Sequence, residues 1–155
     1  KGLALRFHTF LFGLHVYRET GNASGYSFFQ RLVYWKVGAE IAKENFLFGV
    51  GTGDVQTAFD RMYERINPPL EEAFRLRAHN QFLTFLISFG IVGISFFVLI
   101  FLTYFTEYGT DYLALAIGLT VLLSCFTEDT LETQAGVTFF SFFLAIFSSC
   151  KRMPY

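Results

Sequence analysis

An uncharged apolar run, FLTFLISFGIVGISFFVLIFLTYFT, extends from Phe82 to Thr106 and dominates the pattern of the chain. A bilayer core roughly 30 Å thick takes about 20 apolar residues to cross as a helix, so this run predicts a membrane span. Two shorter apolar runs follow, Tyr112 to Phe126 and Ala135 to Cys150, separated by the polar EYGTD and the acidic TEDTLETQ. Both are short for a crossing. Mismatch costs only fractions of a kcal/mol per Å, however, and the pattern predicts three transmembrane helices over 82–150. Upstream, Leu3 to Tyr17 carries apolar residues at helical spacing (3, 7, 10, 11, 14) together with Arg6, His8 and His15. Residues 1–17 therefore read as an interfacial helix, or as the end of a truncated span.

Residues 18–81 are polar and predict a helical loop domain. Ser27 and Gln30 have capping-box spacing, and Phe28, Leu32, Trp35, Ala39 and Ala42 give the following helix an apolar face through about Lys43. After the glycine-rich FLFGVGTGD, Asp54 is placed to cap a second helix with Val55, Phe59, Met62 and Ile66 on its apolar face, ended by Asn67-Pro68-Pro69. Glu71, Arg75 and His79 then recur at four-residue steps. That spacing predicts a third helix running unbroken into the span, with Arg75, His79 and Phe82 sharing a face. Lys151-Arg152 marks 151–155 as a cytoplasmic tail by the positive-inside bias, and counting back three crossings places 18–81 outside the cytoplasm. The chain starts at Lys1 with no signal-peptide pattern and reads as a piece of a longer protein.

Composition points the same way: 53% hydrophobic and 20% aromatic residues, with a mean hydropathy of +0.42, are hard to bury in an aqueous domain of 155 residues. Membrane lipid is the expected surrounding. A net charge of -1 gives no sign of a nucleic-acid partner, which would call for a basic stripe, and none is expected. Cys125 and Cys150 lie at the ends of apolar runs and read as small hydrophobes.

The candidate chemistry is sparse. Gly49-x-Gly51-x-Gly53 lacks the last spacing of a dinucleotide loop and the lysine of a P-loop; it reads as an interhelical turn, or as a close backbone approach to an anionic ligand. His8, His15 and His79 show no ligand spacing, so neither a metal nor another cofactor is expected, and no G-x-S-x-G elbow marks a serine nucleophile. His79 stands at the membrane surface, with Arg31, Arg75 and Arg77 as possible partners. It is either an interfacial polar residue or a base that takes a proton from a hydroxyl while an arginine balances phosphate charge. Glu128, Asp129 and Glu132 read as a solvated acidic connection, the alternative being that Glu128 and Glu132 share a helical turn and bind sugar hydroxyls.

Taken in order, RLVYW at 31–35, ENFLFGVGTGD at 44–54, HNQFL at 79–83 and GIVG at 90–93 resemble the C-terminal part of the O-antigen ligase and polymerase superfamily. Phe46 departs from the pattern, which often has proline there. The resemblance implies an all-α, multi-pass enzyme of the bacterial inner membrane with its active site facing the periplasm, so that 18–81 would be a periplasmic loop. It implies transfer of a glycan from an undecaprenyl-pyrophosphate carrier to an acceptor hydroxyl such as that of lipid A-core, without metal and with inversion. By the same resemblance His79 is the catalytic base and Arg31 contacts the pyrophosphate. Arg75, Arg77 and Asn80, beside His79 in the sequence, complete the candidate substrate-binding set. Most helices of such an enzyme are missing, so the fragment alone is expected to be inactive. Rival readings are a repeat-unit polymerase, a protein O-oligosaccharyltransferase, or a transporter or structural membrane module in which His79 and Arg31 line a polar path.

Overall fold

The structure, a computed structural model, describes residues 2–152, with side chains through 149. The side chain of Cys150 and most of the expected cytoplasmic tail lie outside the described residues. Six α-helices follow in order: α1 (Gly2–Thr20), α2 (Ser27–Glu44), α3 (Val55–Ile66), α4 (Gln81–Tyr108), α5 (Tyr112–Thr127) and α6 (Gln134–Arg152). Short 3-10 turns occupy Glu72–Phe74 and Thr130–Glu132, and no strand occurs among the described residues.

The loop domain is organised around α2, though not with the expected face. Phe29, Val33, Val37 and Ile41 are buried, whereas Phe28 and Leu32 are 52% and 37% exposed. Two apolar stripes overlap on this helix, and packing against α3 and α4 selects the one a residue further on. The capping box does not form: Tyr26 is the N-cap, Ser27 already lies in the helix, and the Gln30 N–H bonds to the Tyr26 carbonyl. On α3 the expected face is buried at Val55, Phe59 and Met62, joined by Tyr63. Asp54 precedes α3 but makes no side-chain cap bond. Asn67 closes α3 in the left-handed conformation (φ 41°), and Pro68 and Pro69 cannot continue it.

The predicted third helix through Arg75 and His79 is absent. After the 3-10 turn the chain continues without helix, turns at His79 (φ 47°) and reaches Asn80, whose side chain accepts the Leu83 N–H and starts α4 at Gln81. Arg75, His79 and Phe82 therefore share no helical face. Instead this segment is pinned by aromatic donors at alternate residues: the Tyr34 hydroxyl bonds to Phe74 O (2.7 Å), the Tyr63 hydroxyl to Leu76 O (2.7 Å), and the Trp35 indole N–H to Ala78 O (3.0 Å). Three rings on two helices thus hold it at every second residue, from the end of the 3-10 turn to Ala78.

With 28 residues, α4 is the one helix among those described that is long and apolar enough to cross a membrane; α5 and the apolar part of α6 are shorter. It is broken at Gly90 (φ 65°, ψ -158°). The turn Phe46–Gly51 docks into the break: Val50 and Gly51 donate to the Ile87 and Ser88 carbonyls (2.8 and 2.9 Å), and Ile91 donates to Phe46 O (2.8 Å). A Cβ on Gly90 would lie 2.3 Å from Leu47 backbone atoms, and one on Gly49 2.4 Å from the Ser88 carbonyl carbon. The glycine-rich turn thus makes its close approach to the span helix itself.

Two apolar clusters result, and α4 joins them. Tyr34, Val37, Phe59, Tyr63, Leu70, Ala78 and Ile87 belong to the loop-domain cluster; Phe97, Phe101, Tyr104, Val121, Cys125 and Phe140 belong to the cluster of α4, α5 and α6. The chain doubles back twice. Asn80 at the start of α4 meets Phe126 near the end of α5, while Tyr108 at the end of α4 meets Ser148 near the end of α6. The acidic connection between α5 and α6 therefore lies on the same side as the loop domain.

Candidate functional site

The first turn of α4 holds the acidic connection in place. The Asn80 amide donates to Phe126 O (3.0 Å), Gln81 Oε1 accepts the Leu131 N–H (2.7 Å), and the Thr84 hydroxyl donates to Asp129 Oδ1 (2.6 Å). Gln81 and Thr84 are buried, so their two bonds are partly shielded from water, while the Asn80 bond is exposed. They set Glu128 and Glu132 against the basic residues of the loop domain.

Glu128 is the centre of the site. Its Oε1 accepts Arg31 Nη2 at 2.6 Å, and its Oε2 lies 3.5 Å from His79 Nδ1. Arg31 also donates through Nη1 to the Thr127 carbonyl. Arg31 on α2 and His79 before α4 thus stand within the width of one carboxylate group. Neither is sealed off: their side chains are 30% and 37% exposed. The His79 ring lies 6.1 Å from that of Tyr34, and its backbone adopts a left-handed conformation (φ 47°) between the pinned segment and the Asn80 cap. With Nδ1 turned to a carboxylate, Nε2 is the nitrogen available to a substrate proton.

The remaining expected residues separate. Arg77 pairs with Glu132 (3.0 Å), parallel to the Arg31–Glu128 pair. Asn80 serves as helix cap and anchor of the connection. Arg75 turns towards α3, where its guanidinium stacks over the Tyr63 ring at 5.9 Å and Nη2 donates to Asn67 Oδ1 (3.2 Å). It supports the loop and touches neither Arg31 nor His79.

The aromatic staples carry the site's electrostatic signature. Burial pushes the Tyr34 phenol above its ordinary value, with the Arg31 charge opposing. Tyr63 is pushed further up, by burial first and then by the neighbouring Tyr34, with Arg75 opposing. Both hydroxyls are therefore protonated donors at neutral pH. Among the described residues no cluster of His, Cys, Asp and Glu has the makings of a metal site.

Glu128, read from sequence as part of a solvated acidic connection, does stay exposed, but it is also the partner of Arg31 and His79. Thr130–Glu132 forms only a 3-10 turn, so Glu128 and Glu132 do not share a helical turn; each faces a different arginine. An available signal was charge complementarity: the acids close an apolar hairpin on the side where Arg31, Arg77 and His79 lie.

A family model described as O-antigen ligase matches residues 4–98, from α1 to past the break in α4. The chain belongs to the O-antigen ligase family. That family comprises bacterial inner-membrane proteins concerned with lipopolysaccharide-related glycan transfer. The match includes Arg31 and His79 and stops short of Glu128. Searches of curated proteins and of solved structures found no match to the chain.

Proposed function

We propose that this O-antigen ligase chain is the catalytic C-terminal part of a transferase that moves a glycan from an undecaprenyl-pyrophosphate carrier to an acceptor hydroxyl, as in ligation to lipid A-core. The observation that supports this is the convergence of Arg31 and His79 on the Glu128 carboxylate at the head of α4. The acceptor oxygen attacks the anomeric carbon while His79 Nε2 takes its proton. The bond from that carbon to the pyrophosphate oxygen breaks, and the pyrophosphate departs with the electron pair. Attack from the face opposite the leaving group inverts the anomeric centre. Glu128, beside Nδ1, stabilises the imidazolium so formed. A guanidinium has five N–H donors, so Arg31 retains donors beyond its contacts with Glu128 and Thr127 for a phosphate oxygen. The fixed charge of Arg31 stands where other transferases use a metal.

In this reading α4, α5 and α6 all cross the inner membrane, residues 18–81 form a periplasmic loop, and the prenyl tail of the donor stays in the bilayer beside the site. A repeat-unit polymerase or a protein O-oligosaccharyltransferase uses the same donor chemistry and differs in acceptor. The test is transfer of lipid-linked glycan by the full-length protein in membranes with expression matched. His79→Ala abolishes transfer while insertion and folding persist, and wild-type transfer by that variant would return His79 to an interfacial role.

A further inference from the structure

His79 occupies the left-handed backbone region (φ 47°), a place that few residues with a Cβ enter and where the backbone is strained unless its surroundings hold it. The peptide groups on both sides of it are fixed. The Ala78 carbonyl belongs to the peptide that joins Ala78 to His79, and it accepts the Trp35 indole N–H at 3.0 Å. Ala78 is 0% exposed, so no water replaces that donor. On the other side Asn80 is held three times: its side-chain oxygen takes the Leu83 N–H (3.0 Å), its amide donates to Phe126 O (3.0 Å), and its carbonyl accepts the Thr84 N–H (2.9 Å). The strain at His79 relaxes only if one of these peptides turns, and each is tied to a different helix.

The held conformation decides what the imidazole faces. Nδ1 lies 3.5 Å from Glu128 Oε2, and the Tyr34 ring flanks the imidazole at 6.1 Å. A relaxed φ turns the Cα–Cβ bond of His79 relative to the Ala78 peptide and swings the ring off Glu128. Both neutral tautomers are then open to it, and only the one with its proton on Nδ1 leaves Nε2 able to take a proton from a substrate. Trp35 also stands one helical turn from Arg31 on α2, at the four-residue spacing that puts both on one face. One turn of a helix thus carries both the guanidinium and the donor that fixes the imidazole.

We propose that Trp35 is a positioning residue for glycan transfer: its indole N–H locks His79 in the left-handed conformation, keeps Nδ1 on Glu128 and Nε2 toward the substrate, and sets the spacing of the imidazole from Arg31. The inference rests on the reading of His79 as the base, and it gives Trp35 no contact with substrate.

The test uses the full-length protein with its histidine rings labelled with nitrogen-15, and with Trp35 replaced by benzothienylalanine, which keeps the fused rings but has sulfur in place of the N–H. Packing around the ring is kept while the bond to Ala78 O is lost. The resonances missing from His79→Gln assign the His79 ring nitrogens. At alkaline pH, where an ordinary histidine is neutral, the wild-type ring should carry its proton on Nδ1, and the isostere should show a mixture of both tautomers. Transfer at saturating lipid-linked donor should fall by about tenfold or more, a part of the roughly 10²–10⁴-fold that a placed base supplies, with KM for the donor unchanged because Arg31 is untouched. A wild-type proton on Nε2, or an isostere that matches the wild type in tautomer or in rate, overturns the positioning role and leaves Trp35 a space-filling ring. Full transfer by His79→Gln would instead overturn the base itself, a result that no behaviour of Trp35 can imitate.

Discussion

Replacing Tyr34 and Tyr63 together by Phe removes the two hydroxyls that hold the segment carrying His79 and leaves both rings in place, since each residue is only 2% exposed. The carbonyls of Phe74 and Leu76 lose their donors. A hydrogen bond contributes about 1 kcal/mol net, and a carbonyl left without partner or water costs about 1–3 kcal/mol. Taken as near-additive, the pair costs roughly 2–4 kcal/mol of docking energy, with Trp35 still holding Ala78. At about 1.4 kcal/mol per decade the undocked fraction rises roughly 30- to 1,000-fold. Arg75 and Arg77 lie inside the segment and make trypsin a local probe, because cleavage follows the population of the open form when closing is fast. Cleavage after these two arginines should accelerate by that factor in the full-length protein, while cleavage after Arg61 and Arg65 on α3 stays near the wild-type rate. An unchanged rate at Arg75 and Arg77 would falsify the staple argument. Equal acceleration at every site would mean that the mutations loosen the whole domain instead.

Further outcomes follow from the same geometry. Arg31→Lys should lower glycan transfer by about tenfold or more, since an ammonium cannot reproduce guanidinium contacts to phosphate; a transfer assay at matched expression decides this. Purified full-length protein should keep transferring in excess EDTA, and loss of turnover restored by Mg²⁺ would replace the arginine mechanism with a metal-assisted one. Gly90→Ala puts a Cβ 2.3 Å from Leu47 backbone atoms at φ 65°, so a loss of about 2 kcal/mol or more is expected, seen as a lower thermal midpoint and refuted by an unchanged one. The phenols of Tyr34 and Tyr63 have folded pKa values raised above their ordinary 10.0. Their contribution is therefore complete below about pH 10 and is lost as pH rises beyond it, so Trp35 fluorescence should report an alkaline release that the double Phe variant lacks.

The apolar runs that became α4, α5 and α6 were legible because lipid-scale hydropathy needs no tertiary context, and α3 because its polar and apolar faces divide cleanly. The start of α4 was misjudged for a definite reason. Arg75 and His79 satisfy helical spacing, but Asn80 is a strong N-cap just before the apolar run, and three aromatic donors reward a non-helical chain. The face of α2 could not be chosen from sequence, since Phe28-Phe29 and Leu32-Val33 supply two adjacent stripes. The Gly90 break was equally hidden, because a glycine within an apolar run is ordinary in membrane helices and only the docked turn distinguishes it. Arg31 and His79 stood out through their motifs. Glu128 did not, because its meaning lies in residues on α2 and before α4, remote from it in sequence.

The carboxylate shared by Arg31 and His79 also sets an order of events during synthesis. A chain emerging N-terminus first delivers α2, then the His79 segment and α4, and only afterwards the hairpin that carries Glu128. Until that hairpin turns back, Arg31 and His79 lack the carboxylate that bridges them. Completion of the α5–α6 turn is thus the step that brings the three side chains together. A premature stop between Gly109 and Phe126 would leave the long apolar span of α4 intact and the constellation of Arg31 and His79 without the anion that draws it together.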